Sequence, residues 1–239
     1  MRHPEILHLV IESPWTFSGK PKKLYFQDNQ EDFKDYPIAH FVVDQMPNNG
    51  NAWDNEKASR NYITQAIVKL MPHYRITDDT KIIIADCDEV VDVNKIIRWD
   101  GEFASLMMDK FGFYLNVMEG AQSWNRARIM RWGYLKQSTP EEVRNSGFPE
   151  TINNAGWHFS YLGGLDAIMD KAAAFSHQEQ DVQRHFTREN IEHKLKTIES
   201  IWGKDFWSVV PLDTLPKYIQ EHQEELKHLI YHQDDFYLR

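Results

Sequence analysis

Hydrophobic spacing along the chain switches repeatedly between strand-like and helix-like periods. Short apolar runs at 6–11 and 38–43 read as strands separated by a Gly/Pro/Lys loop and a polar segment. From 55 to 71 the apolar positions Tyr62, Ile63, Ala66, Ile67, Leu70 and Met71 keep helical spacing, and Pro72 closes the run. Residues 81–85 form a short β-branched stretch that predicts a fully buried strand, after which Asp92 is placed to cap a helix over 93–98. Segments 103–108, 113–118 and 126–130 are strand-like, and Thr139-Pro140 opens a short helix over 140–145. Another strand is expected at 155–161, turned by Gly163-Gly164 into a helix over 166–175. Helices over 188–201 and 215–231 make the last third helical. No repeat or linker interrupts this order, so the expectation is an α/β protein: one domain over 1–239, with a mixed sheet flanked by helices.

A chain of 239 residues with 41% hydrophobic content can bury a substantial core. The net charge of −9 sets the whole-protein field against polyanions, which disfavours nucleic acid as a partner. Two basic segments, Arg126/Arg128/Arg131/Lys136 and Lys20/Lys22/Lys23, read mainly as solvated surface charge. Cys87 is the sole cysteine, so no intramolecular disulfide forms and a reducing compartment is compatible; its thiol is expected to point inward and stay inert. No apolar run approaches membrane-spanning length and no signal peptide is evident, which predicts a soluble, cytoplasmic chain.

The strand at 81–85 delivers Asp86, Asp88 and Glu89 to one point. If the extended conformation persists, Asp86 and Asp88 face the same way and Cys87 the other. Two close carboxylates resist joint ionisation unless a cation lies between them, and hard oxygen ligands suit Mg²⁺ or Mn²⁺. The bland reading is that these acids only end the strand and cap the next helix.

Four blocks carry more than this: ESPWTFSGKPKKLYF (12–26), SRNYITQAI (59–67), IIIADCDEV (82–90) and AGWHFSYLGGLDAIMDKAAAFSHQE (155–179). In this order and over most of the chain, they resemble glycosyltransferase family 17. The resemblance implies a GT-A-like, Rossmann-related domain with a D-x-D metal site, and inverting transfer from a nucleotide sugar to a hydroxyl of a saccharide or other acceptor. UDP-GlcNAc is the donor implied by the family. Asp86 and Asp88 would hold Mn²⁺ or Mg²⁺ as a Lewis acid for the leaving diphosphate, with His177 completing the shell. Inversion needs a base on the opposite face of the sugar, for which Asp166 and Glu179 both stand as candidates. His158 would orient the acceptor or the base. Glu12, Lys20, Arg60 and Asn61 would line the donor cleft with Asp86, and Trp157 and Trp124 would stack on a sugar face. Glu89 is placed behind the metal ligands. The family pattern also leads one to expect a further strand and helix ahead of residue 6.

Two other readings stay open. The string IIIADCDEV also resembles the first motif of haloacid-dehalogenase-type phosphatases, in which the first Asp is a nucleophile. The companion motif is only loosely echoed by Gly164-Leu165-Asp166 with Asp170. The second alternative is a non-catalytic sugar-binding protein that keeps the cleft.

Overall fold

The computed structural model describes residues 6–147, 150–203 and 207–232. Its strands divide among three sheets packed with helices, so the fold is α/β as the patterning predicts. β1 (His8–Glu12) and β2 (Ile38–Val42) pair in parallel, with Val10 opposite His40. Parallel neighbours need a crossover, and here it carries the Gly/Pro/Lys loop and the short α1 (Tyr25–Asp28). α2 (Ala52–Leu70) then runs for 19 residues. It starts three residues before the expected helix, because the Asn51 side chain accepts a hydrogen bond from the Trp53 amide at 3.1 Å.

The motif strand, β3 (Lys81–Ile84), departs from expectation. Among the described residues it is the edge strand of the sheet β3-β8-β5-β9 and pairs with β8 alone, antiparallel; Ile84 is buried while Ile83 faces solvent. β4 (Glu89–Val91) belongs to a different sheet, β11-β7-β6-β10-β4, and the residues between β3 and β4 carry the chain from one sheet to the other. α3 (Val93–Ile96) comes next, its first turn capped by Asp92 as expected, through the Asn94 amide at 3.1 Å.

β5 (Phe103–Leu106) and β6 (Met108–Gly112) divide the next apolar run. No strand spans 113–118. Phe113 has φ 66° and is buried against the Trp207 ring at 4.6 Å, and the chain turns there before β7 (Val117–Trp124). Gly112 makes this contact possible, since a Cβ at that position would lie 2.4 Å from the Trp207 ring. β8 (Arg128–Arg131), α4 (Trp132–Leu135) and α5 (Pro140–Asn145) come after it; Thr139 and Glu142 form a full capping box on α5. β9 (Thr151–Ile152) joins β5, and β10 (Gly156–Ser160) lies between β6 and β4.

Gly163 at φ 92° turns the chain into α6 (Gly164–Ala174), and α7 (Gln180–Gln183) and α8 (Arg188–Thr197) complete the helical layer. α8 stops four residues short of the expected end, at Ile198 with φ 50°. β11 (Ser208–Val209) extends the sheet beyond β7. The expected helix over 215–231 is broken into α9 (Lys217–Glu221) and α10 (Gln223–Leu226) with an irregular residue, His222, between them. Leu215, Ile219, Leu226 and Ile230 all reach one cluster around Phe111, Leu115 and Phe159. Two bonds between the Asn116 side chain and the Tyr231 backbone hold this segment down. Among the described residues no helix is long and apolar enough to cross a membrane.

Candidate active site

The acids after β3 sit in a β-turn, closed by the Glu89 amide donating to the Asp86 carbonyl at 3.0 Å. The expected extended geometry is thus replaced by a bend, because Glu89 must enter a second sheet. Cys87 lies at the tip of the turn and is exposed, which corrects the expectation of an inward thiol. Crowding by the surrounding protein and the Asp88 and Asp86 carboxylates push its pKa up, so the thiol stays protonated.

Each aspartate has its own cationic partners. Asp86 is paired with Arg144, and Arg60 lies 3.8 Å from its other oxygen. Asp88 accepts from the Lys171 ammonium at 2.8 Å and lies 3.6 Å from the His158 ring. The electrostatic outcomes are opposite. For Asp86, burial and the neighbouring Glu89 and Asp88 charges outweigh Arg144 and Arg60, and the carboxyl is held above its ordinary range. For Asp88, burial is overcome by His158 and Lys171, and the carboxyl lies far below that range.

Behind the turn is a buried polar hub. Glu89 has no exposed side-chain surface; one oxygen accepts from Trp124 Nε1 and Arg144 Nη2, the other from the Asp86 amide and Arg144 Nη1. Trp124 in turn stacks on His158 at 4.0 Å between ring centroids. Arg60, held by Glu56 and Glu141, joins α2 and α5 to this network, and Ser176 donates to Glu56 from the loop after α6. Burial alone would depress the Arg60 guanidinium, but the Asp86 and Glu56 carboxylates more than reverse this. Arg128 lies underneath, bonded to the carbonyls of Asn125, Val143 and Arg144, and burial next to Arg144 brings its pKa down to about 10.

The remaining expected residues have partners of their own. Glu12 accepts from the amides of Phe26 and Gln27, 3.8 Å from Lys22 and 3.3 Å from His40, so it anchors the crossover loop. Lys20 is exposed in that loop. Asn61 accepts from the Glu141 amide at 3.0 Å, fixing the start of α5, and lines a shallow groove of about 340 Å³ with Asn49, Asp54 and Lys57. Trp157 turns to the opposite sheet face from His158 and donates to the Thr214 carbonyl. Asp166 is exposed on α6 and paired with Arg188, outside the network of Asp86 and Asp88. Glu179 accepts from Trp53 Nε1 at 2.9 Å; its own backbone amide and Trp53 hold its carboxyl below the ordinary range. His177 packs edge-on against Trp53 and lies 3.5 Å from Glu179. Among the described residues, no three His, Cys, Asp or Glu side chains are gathered as a metal-holding group, so His177 does not join Asp86 and Asp88 in this arrangement.

Sequence reading missed Arg144, Lys171, Glu56, Glu141 and Trp53. Only Arg144 left a usable signal: it shares the buried face of α5 with Pro140 and Val143, where a charged side chain needs a buried acid as partner.

Comparison with known proteins adds the family. Neither a search of curated proteins nor one of solved structures returned a match. The sequence profile of glycosyltransferase family 17 matches residues 5–230. Its first and last matched positions enclose every element described above, the acidic turn and the hub behind it; the chain belongs to glycosyltransferase family 17.

Proposed function

We propose that the protein is a metal-dependent inverting transferase, moving a sugar from a nucleoside diphosphate donor to an acceptor hydroxyl at the turn 86–89. UDP-GlcNAc is the donor of first choice, and a saccharide is the acceptor class. The observation that carries this reading is the charge arrangement at the turn: among the described residues, Asp86, Asp88, Glu89, Glu56 and Glu141 are ion-paired with Arg60, Arg144 and Lys171, with the His158 ring beside Asp88. Even with Arg128 counted, these acids outnumber the Arg and Lys side chains set against them, which fits a bound cation. A phosphatase of the haloacid-dehalogenase type is set aside, since the family is one of glycosyltransferases and Asp86, the required nucleophile, is held by Arg144.

Asp86 and Asp88 are the residues that would hold Mn²⁺ or Mg²⁺, which when bound supplies Lewis-acid neutralisation of the leaving diphosphate. Lys171 holds Asp88 in place and, partly exposed, has a further N–H for a phosphate oxygen. Arg60 restrains Asp86 from the α2 side. For the base we propose Glu179 over Asp166. Its loop is tied to the site by Ser176, Glu56 and Arg60, and its carboxyl is ionised at neutral pH. Glu179→Gln should lower kcat by about 10²- to 10⁴-fold with donor affinity nearly unchanged, and Asp166→Asn should behave like the parent. The opposite outcome would make Asp166 the base.

One specific observation favours a second reading: both aspartates already have cationic partners. In a metal-independent enzyme Arg60 and Lys171 would take the diphosphate alone. A screen of nucleotide sugars by thermal shift, with Mn²⁺ or with EDTA, separates the two, since a ligand that binds the folded state raises Tm. Stabilisation that EDTA removes supports the metal; stabilisation untouched by EDTA supports the second reading.

The pH dependence is set by Asp86. It must be ionised to hold a cation, and its pKa is raised, so metal-dependent donor binding should fail on acidification through one group titrating above about pH 4, the ordinary aspartate value. Asp88 remains charged throughout that range. For stability the signs are opposite. Asp88, depressed in the folded state, contributes stability above the ordinary aspartate range and loses it only in strong acid; Asp86, raised, withdraws stability as pH climbs through that range. Calorimetric binding of UDP with Mn²⁺ across pH 4–8 checks the acid limb.

A further inference from the structure

We propose that Glu89 is the positioning residue that sets both aspartates of the turn from behind, an inference that rests on the metal-site reading above. Its carboxylate receives two donors on each oxygen, which saturates it. Three of the four donors lead to Asp86. The Asp86 amide donates to Glu89 Oε2 at 2.7 Å and fixes the backbone, and Arg144, bound to both Glu89 oxygens at 2.9 and 3.0 Å, holds the Asp86 carboxylate.

The other arm leads to Asp88. Glu89 stands directly across from His158 in the antiparallel β4–β10 pair, so the two side chains share one face of the sheet. Trp124 spans that face: its indole N–H donates to Glu89 and its ring stacks on His158 at an interplanar angle of 15°. The stack aims His158 Nε2 at Asp88, 3.6 Å away. Among the described residues His158 Nδ1 is buried with no hydrogen-bond partner, so the contacts that orient the ring in this site are the Trp124 stack and the neighbouring Asp88 carboxylate. The same strand pair anchors the backbone, with the Phe159 amide donating to the Asp88 carbonyl at 2.8 Å.

One buried acid therefore controls the separation of two groups that belong to different parts of the turn. Partners standing behind metal ligands fix ligand orientation, and their loss weakens metal binding without removing a ligand. Glu89 touches neither donor nor acceptor, since its side chain has no exposed surface.

Glu89→Gln keeps the shape but puts an NH₂ group where two donors converge. Two readouts apply. Affinity for Mn²⁺ with UDP, by calorimetry, should fall about 10- to 100-fold. Independently of any metal, Cys87, the chain's one cysteine and exposed at the tip of the turn, should be alkylated by iodoacetamide about threefold faster or more once the turn is released, with circular dichroism unchanged. Trp124→Phe, which keeps an aromatic face towards His158 and removes the indole N–H together with part of the ring, should weaken Mn²⁺–UDP binding and leave the Cys87 rate near the parent's. That variant keeps the inference testable should Glu89→Gln fail to fold. A folded Glu89→Gln protein with both parental affinity and parental Cys87 rate overturns it, as does parental affinity in Trp124→Phe when the glutamine variant is unfolded. If the parent itself binds no Mn²⁺ with UDP, the metal reading fails, and the Cys87 rate still decides whether Glu89 holds the turn.

Discussion

Replacing Asp88 by Asn should lower kcat by about 10²- to 10³-fold or more while the protein stays folded, because it weakens the hold on the proposed cation that would neutralise the leaving-group charge. The side chain keeps its size, and the backbone anchor from Phe159 is untouched. What changes is electrostatic. Lys171 loses its carboxylate partner and the proposed cation loses one of two ligands, so donor affinity should fall together with kcat. A rate measurement at saturating donor, with a melting curve to show an intact fold, checks the effect. Parental turnover in a folded Asp88→Asn protein would remove Asp88 from the chemistry.

Replacing Arg144 by Met should produce the largest stability effect. Arg144 is buried, and its removal leaves Glu89, which has no contact with water, facing only neutral donors. Breaking a buried pair from one side costs about 3–5 kcal/mol. In a chain of this size that amounts to a Tm drop of roughly 6–20 °C. The double change Glu89→Gln with Arg144→Met should recover much of the loss, since the glutamine oxygen still accepts from one of the Asp86 amide and Trp124 Nε1 and no buried charge is stranded. Thermal unfolding of the two singles and the double at neutral pH checks both statements. A loss below about 1 kcal/mol for Arg144→Met would mean that water reaches Glu89.

The sequence exposes the acids of this site more readily than the groups that hold them. Asp86 and Asp88 are legible because a β-branched run ends on them, and the caps by Asp92 and Thr139 arise from local spacing that tertiary structure left alone. The turn between the aspartates was not legible: nothing local says that β3 and β4 enter different sheets, and that switch bends the chain at Cys87 and brings its thiol to the surface. The same limit applies to 113–118, where an apolar run reads as a strand but Phe113 must turn to pack on Trp207, nearly a hundred residues later. Lys171 and Arg144 come to the aspartates from 83 and 58 residues away, and single lysines and arginines in helices give no signal of such partners. Asp166 was attractive because it opens α6 after a Gly-Gly turn, yet it meets Arg188 in solvent, while Lys171, one and a half turns further along the same helix, faces Asp88.

The central claim is that Asp86 and Asp88 hold a divalent cation against the donor's diphosphate, and isothermal titration of UDP into the protein with Mn²⁺ or with EDTA tests it most directly. The expected result is binding that requires Mn²⁺ in the parent and disappears in Asp86→Asn and Asp88→Asn. UDP binding of equal strength in EDTA, or retained by both variants, would contradict it.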